Sequence, residues 1–174
     1  MANPIAAIIW KLSAQVLLNL ENEDFETATQ SQRLDILEEL VSFLIHLVDR
    51  QIYDLTDVEK RALFITALVN DMARMLEDSR VDVQGENEYK QAFYDKVNSR
   101  MGEFSEYSFS SDDGASFAMR CTLGAHIQAA MGSRDNKWIP DYIVGREAPE
   151  IENTLSRSLT NLVSFEDQSN PVSE

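Results

Sequence analysis

The sequence predicts an all-α protein: a five- or six-helix bundle with antiparallel neighbours and a central buried fifth helix. Three observations carry this. Apolar residues recur at alternating spacings of three and four in several segments, the period of one helix face. Helix-start signals precede two of those segments. No stretch alternates polar and apolar residues as a half-buried strand would. A chain of 174 residues suits one domain. The reading places it at residues 1–165, with 166–174 as a polar, disordered tail.

The first helix is expected over Ile5 to Leu20. Its polar residues Lys11, Gln15 and Asn19 are spaced by four and form one thin stripe. The run is shorter than the ~20 apolar residues that span a bilayer. No Lys or Arg precedes Lys11, so a secretion leader is not indicated. A surface this apolar belongs in a core or against a partner. Ile8, Ile9, Leu12, Val16 and Leu17 are expected to be buried.

The second helix is expected from Ser31 to Tyr53, after two overlapping capping boxes, Thr27-x-x-Gln30 and Thr29-x-x-Gln32. Leu34, Leu37, Val41, Leu44 and Val48 form its apolar stripe, widened by Leu40 and Leu47. Glu39, Ser42, His46, Asp49 and Arg50 form a polar stripe, read as a solvated face. The third helix is expected from the capping box at Thr56 to Glu59. Its stripe is Val58, Ala62, Ile65, Val69, Met72 and Leu76, and the short loop before it implies an antiparallel hairpin. Ser79 to Glu88 reads as a polar connector. The fourth helix follows over Asn87 to Phe104, with Tyr89, Phe93, Val97, Met101 and Phe104 on one face. Glu106 to Asp113 is a second connector.

The fifth helix is expected over Asp112 to Met131. One side carries Phe117, Met119, Leu123, Ile127 and Met131. The other carries Ala115, Ala118, Cys121, Thr122, Ala125 and Ala129, small enough for another backbone to come close. With no polar face, it is expected to be central. Only Arg120, His126 and Gln128 carry strong polarity. Buried polar groups need partners, so these three are read as polar anchors or as the floor of a ligand pocket. Carboxylates in reach of the Arg120 reading are Glu39, Asp71, Glu77, Glu103 and Asp112. Cys121 reads as an inert buried thiol. Gly132 to Gly145 reads as irregular. Pro149 suits the first turn of a sixth helix reaching Leu162, with the stripe Ile151, Leu155, Leu159 and Leu162.

Catalytic and metal motifs fail on spacing. Gly114-Ala115-Ser116-Phe117-Ala118 fits a loose nucleophile-elbow pattern, but the strand that the elbow needs is missing. Ser110 to Asp113 read instead as a helix start, with Ser116 among the small residues that begin the helix. Calcium loops centred on Gly85 or Gly114 would place Arg80 and Gln91, or Phe109 and Arg120, where carboxylates are needed. Phe43 and Leu123 stand three residues before His46 and His126, so the Glu-x-x-His of a di-iron bundle is absent. No phosphate loop, dinucleotide fingerprint or paired-cysteine motif occurs. No catalytic residue, metal ligand or cofactor is assigned, and the chain is read as more consistent with a non-enzyme.

Thirty acidic residues against fifteen basic leave a net charge of −15. That opposes nucleic acid and anionic membrane as partners. The excess is uneven. Basic against acidic residues number three to nine in 1–54, seven to nine in 55–100, and five to twelve in 101–174. Such interspersion argues against a DNA mimic. One cysteine cannot close an internal disulfide, so a cytoplasmic location is expected.

The leading functional reading is a non-catalytic, acidic helical protein acting through protein–protein contacts, including self-association into a homo-oligomer. Its other partner is unknown. Arg134, Lys137, Trp138 and Tyr142 form a local cluster of cations beside aromatics and are read as an interaction surface, or as aromatics that cover the bundle end. Two alternatives stand. One is a small-ligand-binding protein or enzyme with a pocket at Arg120 and His126. The other is a metal- or haem-binding bundle.

Overall fold

A computed structural model describes residues 4–132 and 136–169, with side chains as far as 161. It is an all-α bundle. The helices are α1 (Pro4–Asn22), α2 (Gln30–Ile52), α3 (Val58–Gln84), α4 (Tyr89–Ser105), α5 (Phe117–Met131), α6 (Ile139–Tyr142) and α7 (Ala148–Ser169). Between α4 and α5 lies a two-residue antiparallel ladder, β1 (Phe109–Ser110) with β2 (Gly114–Ala115). No helix among the described residues is long and apolar enough to cross a membrane.

Local chemistry explains the helix ends. Of the two capping boxes before α2, Thr29 is used, and its hydroxyl accepts from the Gln32 amide at 3.1 Å. Asp57, rather than Thr56, caps α3 by accepting from Lys60 N at 2.8 Å. The expected connector Ser79 to Glu88 is helical as far as Gln84, because nothing breaks the helix before Gly85 at φ +83°. α5 starts at Phe117, five residues later than expected. Ser116 is its N-cap, accepting from Met119 N at 3.3 Å. The stretch expected to be irregular is largely helical. α6 runs through a π turn, Ile143–Glu147, straight into α7. α7 passes its expected end at Leu162 and covers 166–169 of the expected tail, since no Gly or Pro stands between Pro149 and Pro171. Residues 170–174 lie outside the described residues.

The central helix is α2, not α5. Every residue from Glu38 to Val48 is buried, and α2 packs against α1, α3, α4, α5 and α7. On α5, Met119, Leu123, Gly124, Ile127 and Met131 face the core, while Phe117, Ala118, Ala125 and Ala129 are exposed. A helix without a polar face need not be central when its outer face is alanine, whose exposure sacrifices little apolar area. On α1, Ile9, Val16 and Leu17 are buried, whereas Ile8 and Leu12 are half-buried.

The polar stripe of α2 is also inside, which corrects its reading as a solvated face. Cations from α3 and α4 make this possible. Arg80 donates to Glu38 at 2.7 Å and to Asp35 at 2.6 Å. Lys96 lies 2.8 Å from Glu38 and 3.5 Å from Glu39. Arg100 holds Glu39 bidentately at 2.6 and 3.0 Å. Glu103, 3.7 Å from Arg100, passes the chain of charges to His126 at 2.7 Å. Burial would raise the Glu39 carboxyl, but the Arg100 hydrogen bonds, with the charges of Lys96, Arg100 and His126, outweigh it and hold the group below its ordinary value.

His46 is the exception in this stripe. It is 2% exposed, and neither ring nitrogen has a hydrogen-bond partner. Its ring lies 5.6 Å from that of Phe104. Burial, then the nearby Arg50 charge, pushes the imidazole down to about 4.

Two outcomes are expected. Arg80→Met should lower unfolding stability by about 3 kcal/mol, because Glu38 stays buried with Lys96 alone. Urea denaturation measures this, and Glu38→Gln added to it should recover part of the loss. His46 should steepen the acid side of the stability profile. Above the unfolded value near 6.5, both states hold neutral imidazole. Below it, the unfolded chain takes up a proton that the folded chain refuses until about pH 4. Stability therefore falls from pH 6.5 to 4 by roughly 1.4 kcal/mol per pH unit from this group. His46→Leu should remove that component. Loss arising from Glu39 should begin only below its unfolded value of 4.5.

Candidate functional site

The polar residues of α5 leave it toward three different partners. Arg120 reaches α7, where Nε and Nη2 each lie 2.9 Å from an oxygen of Glu152. None of the carboxylates expected for it is the partner. Glu39 is held by Arg100, Asp71 by Arg74, Glu77 by Lys90 and Glu103 by His126, while Asp112 is exposed. Gln128 donates to the Asn136 carbonyl at 3.1 Å, and the Asn136 amide returns a bond to the Gln128 carbonyl at 3.2 Å. Arg120 and His126 therefore do not converge on one pocket.

The Arg120 pair is built from the β1–β2 turn upward. Ser110 Oγ accepts from Asp113 N at 2.9 Å and tightens the turn. Gly114 follows at φ +74°, and a Cβ there would overlap Glu152 Oε2. Glu152 Oε2 also accepts from Ala115 N at 3.1 Å. The buried carboxylate thus ties α7 to both α5 and the ladder. It stands in the stripe Ala148, Glu152, Leu155, Leu159, next to the expected one. That spacing and a glycine in the turn are the signals that sequence reasoning passed over.

A polar cleft of about 360 Å³ opens beside this pair. Arg120, Glu152, Asp112, Asp113, Asn153 and Gln51 are among the residues lining it. It runs into a more apolar trough that shares Gln51, Ser111 and Ser156 with it and adds Ile52, Leu55 and Leu159. Among the described residues, no group of three or more His, Cys, Asp or Glu could hold a metal ion. Cys121 is half-buried and free.

The expected surface at 134–142 divides. Arg134 lies outside the described residues. Lys137 stands over the exposed Trp138 ring at 5.2 Å, so Trp138 does not cover the bundle end. Tyr142 packs its ring against Phe25 at 5.5 Å. Its hydroxyl and Glu147 Oε1 are buried without a hydrogen-bond partner, while Asn19 donates to Glu147 Oε2 at 3.0 Å. Burial, then the Glu147 carboxyl, pushes the tyrosine up to about 12. The intervening π turn, with more residues per turn than an α-helix, brings residues 142 and 147 toward one face.

Arg120→Ala should destabilise by roughly 3 kcal/mol, since it strands the Glu152 carboxylate inside the fold. Arg120→Lys should lose part of that by forfeiting the two-pronged contact. Thermal unfolding of both variants measures it, and parent-like stability of Arg120→Ala would remove Arg120 as an anchor. No family model matches the chain, and neither a curated protein nor a solved structure shows significant similarity to it.

Proposed function

We propose that this protein acts through protein–protein contact and associates with itself along the first half of α3. The observation that carries this is a group of exposed apolar residues, spread over about half the helix circumference with Glu59 among them. Val58 is 74% and Leu63 72% exposed, and Ala62 and Ala67 are exposed beside them. The 17 residues of α4 are too few to cover the 27 of α3. Only the later part of the expected stripe, Met72 and Leu76, is buried.

Charge favours a second copy as the occupant. Like-charged surfaces resist pairing in a chain of net charge −15. From Asp57 to Arg74, however, three acids are matched by three bases. Local ion pairs join Lys60 to Asp57 and Arg74 to Asp71. Two copies can meet here without confronting two strongly negative surfaces. Small side chains at Ala62, Thr66 and Ala67 allow close approach of helices, and an antiparallel arrangement about a twofold axis would satisfy both. A cytoplasmic location belongs to the same reading, since Cys121 requires no disulfide partner. The ligand-pocket reading is weaker, because Arg120 is engaged by Glu152 and His126 lies elsewhere.

Light scattering across a wide concentration range tests the proposal. The parent should rise above the 19.8 kDa of one chain. Leu63→Asp should return it to that mass with little change in melting temperature, because the side chain is exposed. A parent that stays at one chain's mass throughout would refute self-association.

A further inference from the structure

The cleft beside Arg120 and the trough beyond it form one groove between the end of α2, the β1–β2 turn and α7. Its two ends differ in chemistry. At one end stand Asp112 and Asp113, both exposed. Among the described residues, Asp112 makes no ion pair, and the Asp113 carboxylate is met by the Ser110 hydroxyl at 3.3 Å and by no cation. The cation at this end, Arg120, is already shared with Glu152. The uncompensated charge is therefore negative. At the other end Ile52 and Leu159 are half-buried and Leu55 is 69% exposed. An exposed leucine at the rim of an apolar trough is surface that a partner can remove from water.

We propose that this groove binds a short segment of another protein in which an arginine or lysine lies close to an aliphatic side chain. The cation sits against Asp112 and Asp113, and the aliphatic group against Ile52, Leu55 and Leu159. Charge complementarity selects the basic residue, and the trough selects its neighbour. A purely acidic or purely polar segment would satisfy neither end. The site is separate from the α3 face, so it stands or falls independently of self-association.

Nuclear magnetic resonance with the whole ¹⁵N-labelled chain tests this. The probes are acetylated, amidated glycine peptides bearing one arginine and one leucine separated by one, two or three glycines. At least one spacing should shift the amide signals of Gln51, Leu55, Ser111, Asp112, Gly114 and Ser156 in a saturable way. Added sodium chloride should weaken binding, as should glutamate in place of the arginine or serine in place of the leucine. Asp112→Asn with Asp113→Asn should weaken it several-fold, and Leu55→Ser likewise, while Val83→Ser, at an exposed position near the far end of α3, should leave it unchanged. These positions are exposed, so melting temperatures should stay near the parent's. Absence of shifts with every spacing, shifts centred elsewhere, or equal binding of the glutamate peptide would overturn the proposal. Shifts at the groove that follow protein concentration alone would assign it to a second copy and overturn it too.

Discussion

The neutralisation of the acidic residues on α2 is the constraint on which the rest of the structure depends. Glu38 and Glu39 lie in the middle of the bundle, where an unpaired carboxylate would be strongly unfavourable. Arg80 from α3 and Lys96 and Arg100 from α4 remove that penalty, each through more than one contact. The pairing also sets register. Arg80 fixes how far α3 extends along α2, and Arg100 fixes α4 against α2. Leu34, Leu37, Leu40, Leu44 and Leu47 are buried around this line, with Ile36, Val41, Phe43, Ile45 and Val48. They alone would tolerate sliding and rotation more readily than a set of directed ion pairs.

A second, smaller arrangement closes the other side. Gly124 meets the backbone of Pro140, where a Cβ would stand 3.0 Å from the proline Cα. That close approach brings α6 onto α5. The π turn then carries the chain into α7, and Glu152 locks α7 to Arg120 and Ala115. Polarity inside this protein is thus largely architectural. The two surfaces proposed for partners, the first turns of α3 and the groove where the end of α2 meets α7, are among those that no described element covers.

Much of the fold was legible. The helices α1 to α4 follow apolar periodicity, because an amphipathic face must find a core whatever the topology. The start of α5 was misplaced at Asp112, because Ser110 to Asp113 also carry helix-start residues, whereas Ser116 supplies the cap. The charged stripe of α2 was not. Glu39, Ser42 and His46 have the pattern of a solvated face; distant cations reverse it at Glu39, while Ser42 turns back onto the Glu38 carbonyl and His46 is buried without a partner. Arg120 was legible as a residue in need of a carboxylate, but Glu152 stood outside the candidates. Its selection depends on how α7 returns across α5, which periodicity does not encode.

By itself, the sequence determined the class of fold, the cores of helices α1 to α5, the negative charge and the failure of the usual catalytic and metal spacings. All of these follow from local propensity, composition and side-chain chemistry. Tertiary structure alone decided which helix is central, which acids are buried, and which apolar stripe remains uncovered. Those outcomes depend on relative helix lengths and on pairs far apart in the chain, such as Arg80 with Glu38 and Arg120 with Glu152. An amphipathic pattern says that a face needs covering, but only packing decides whether another helix reaches it.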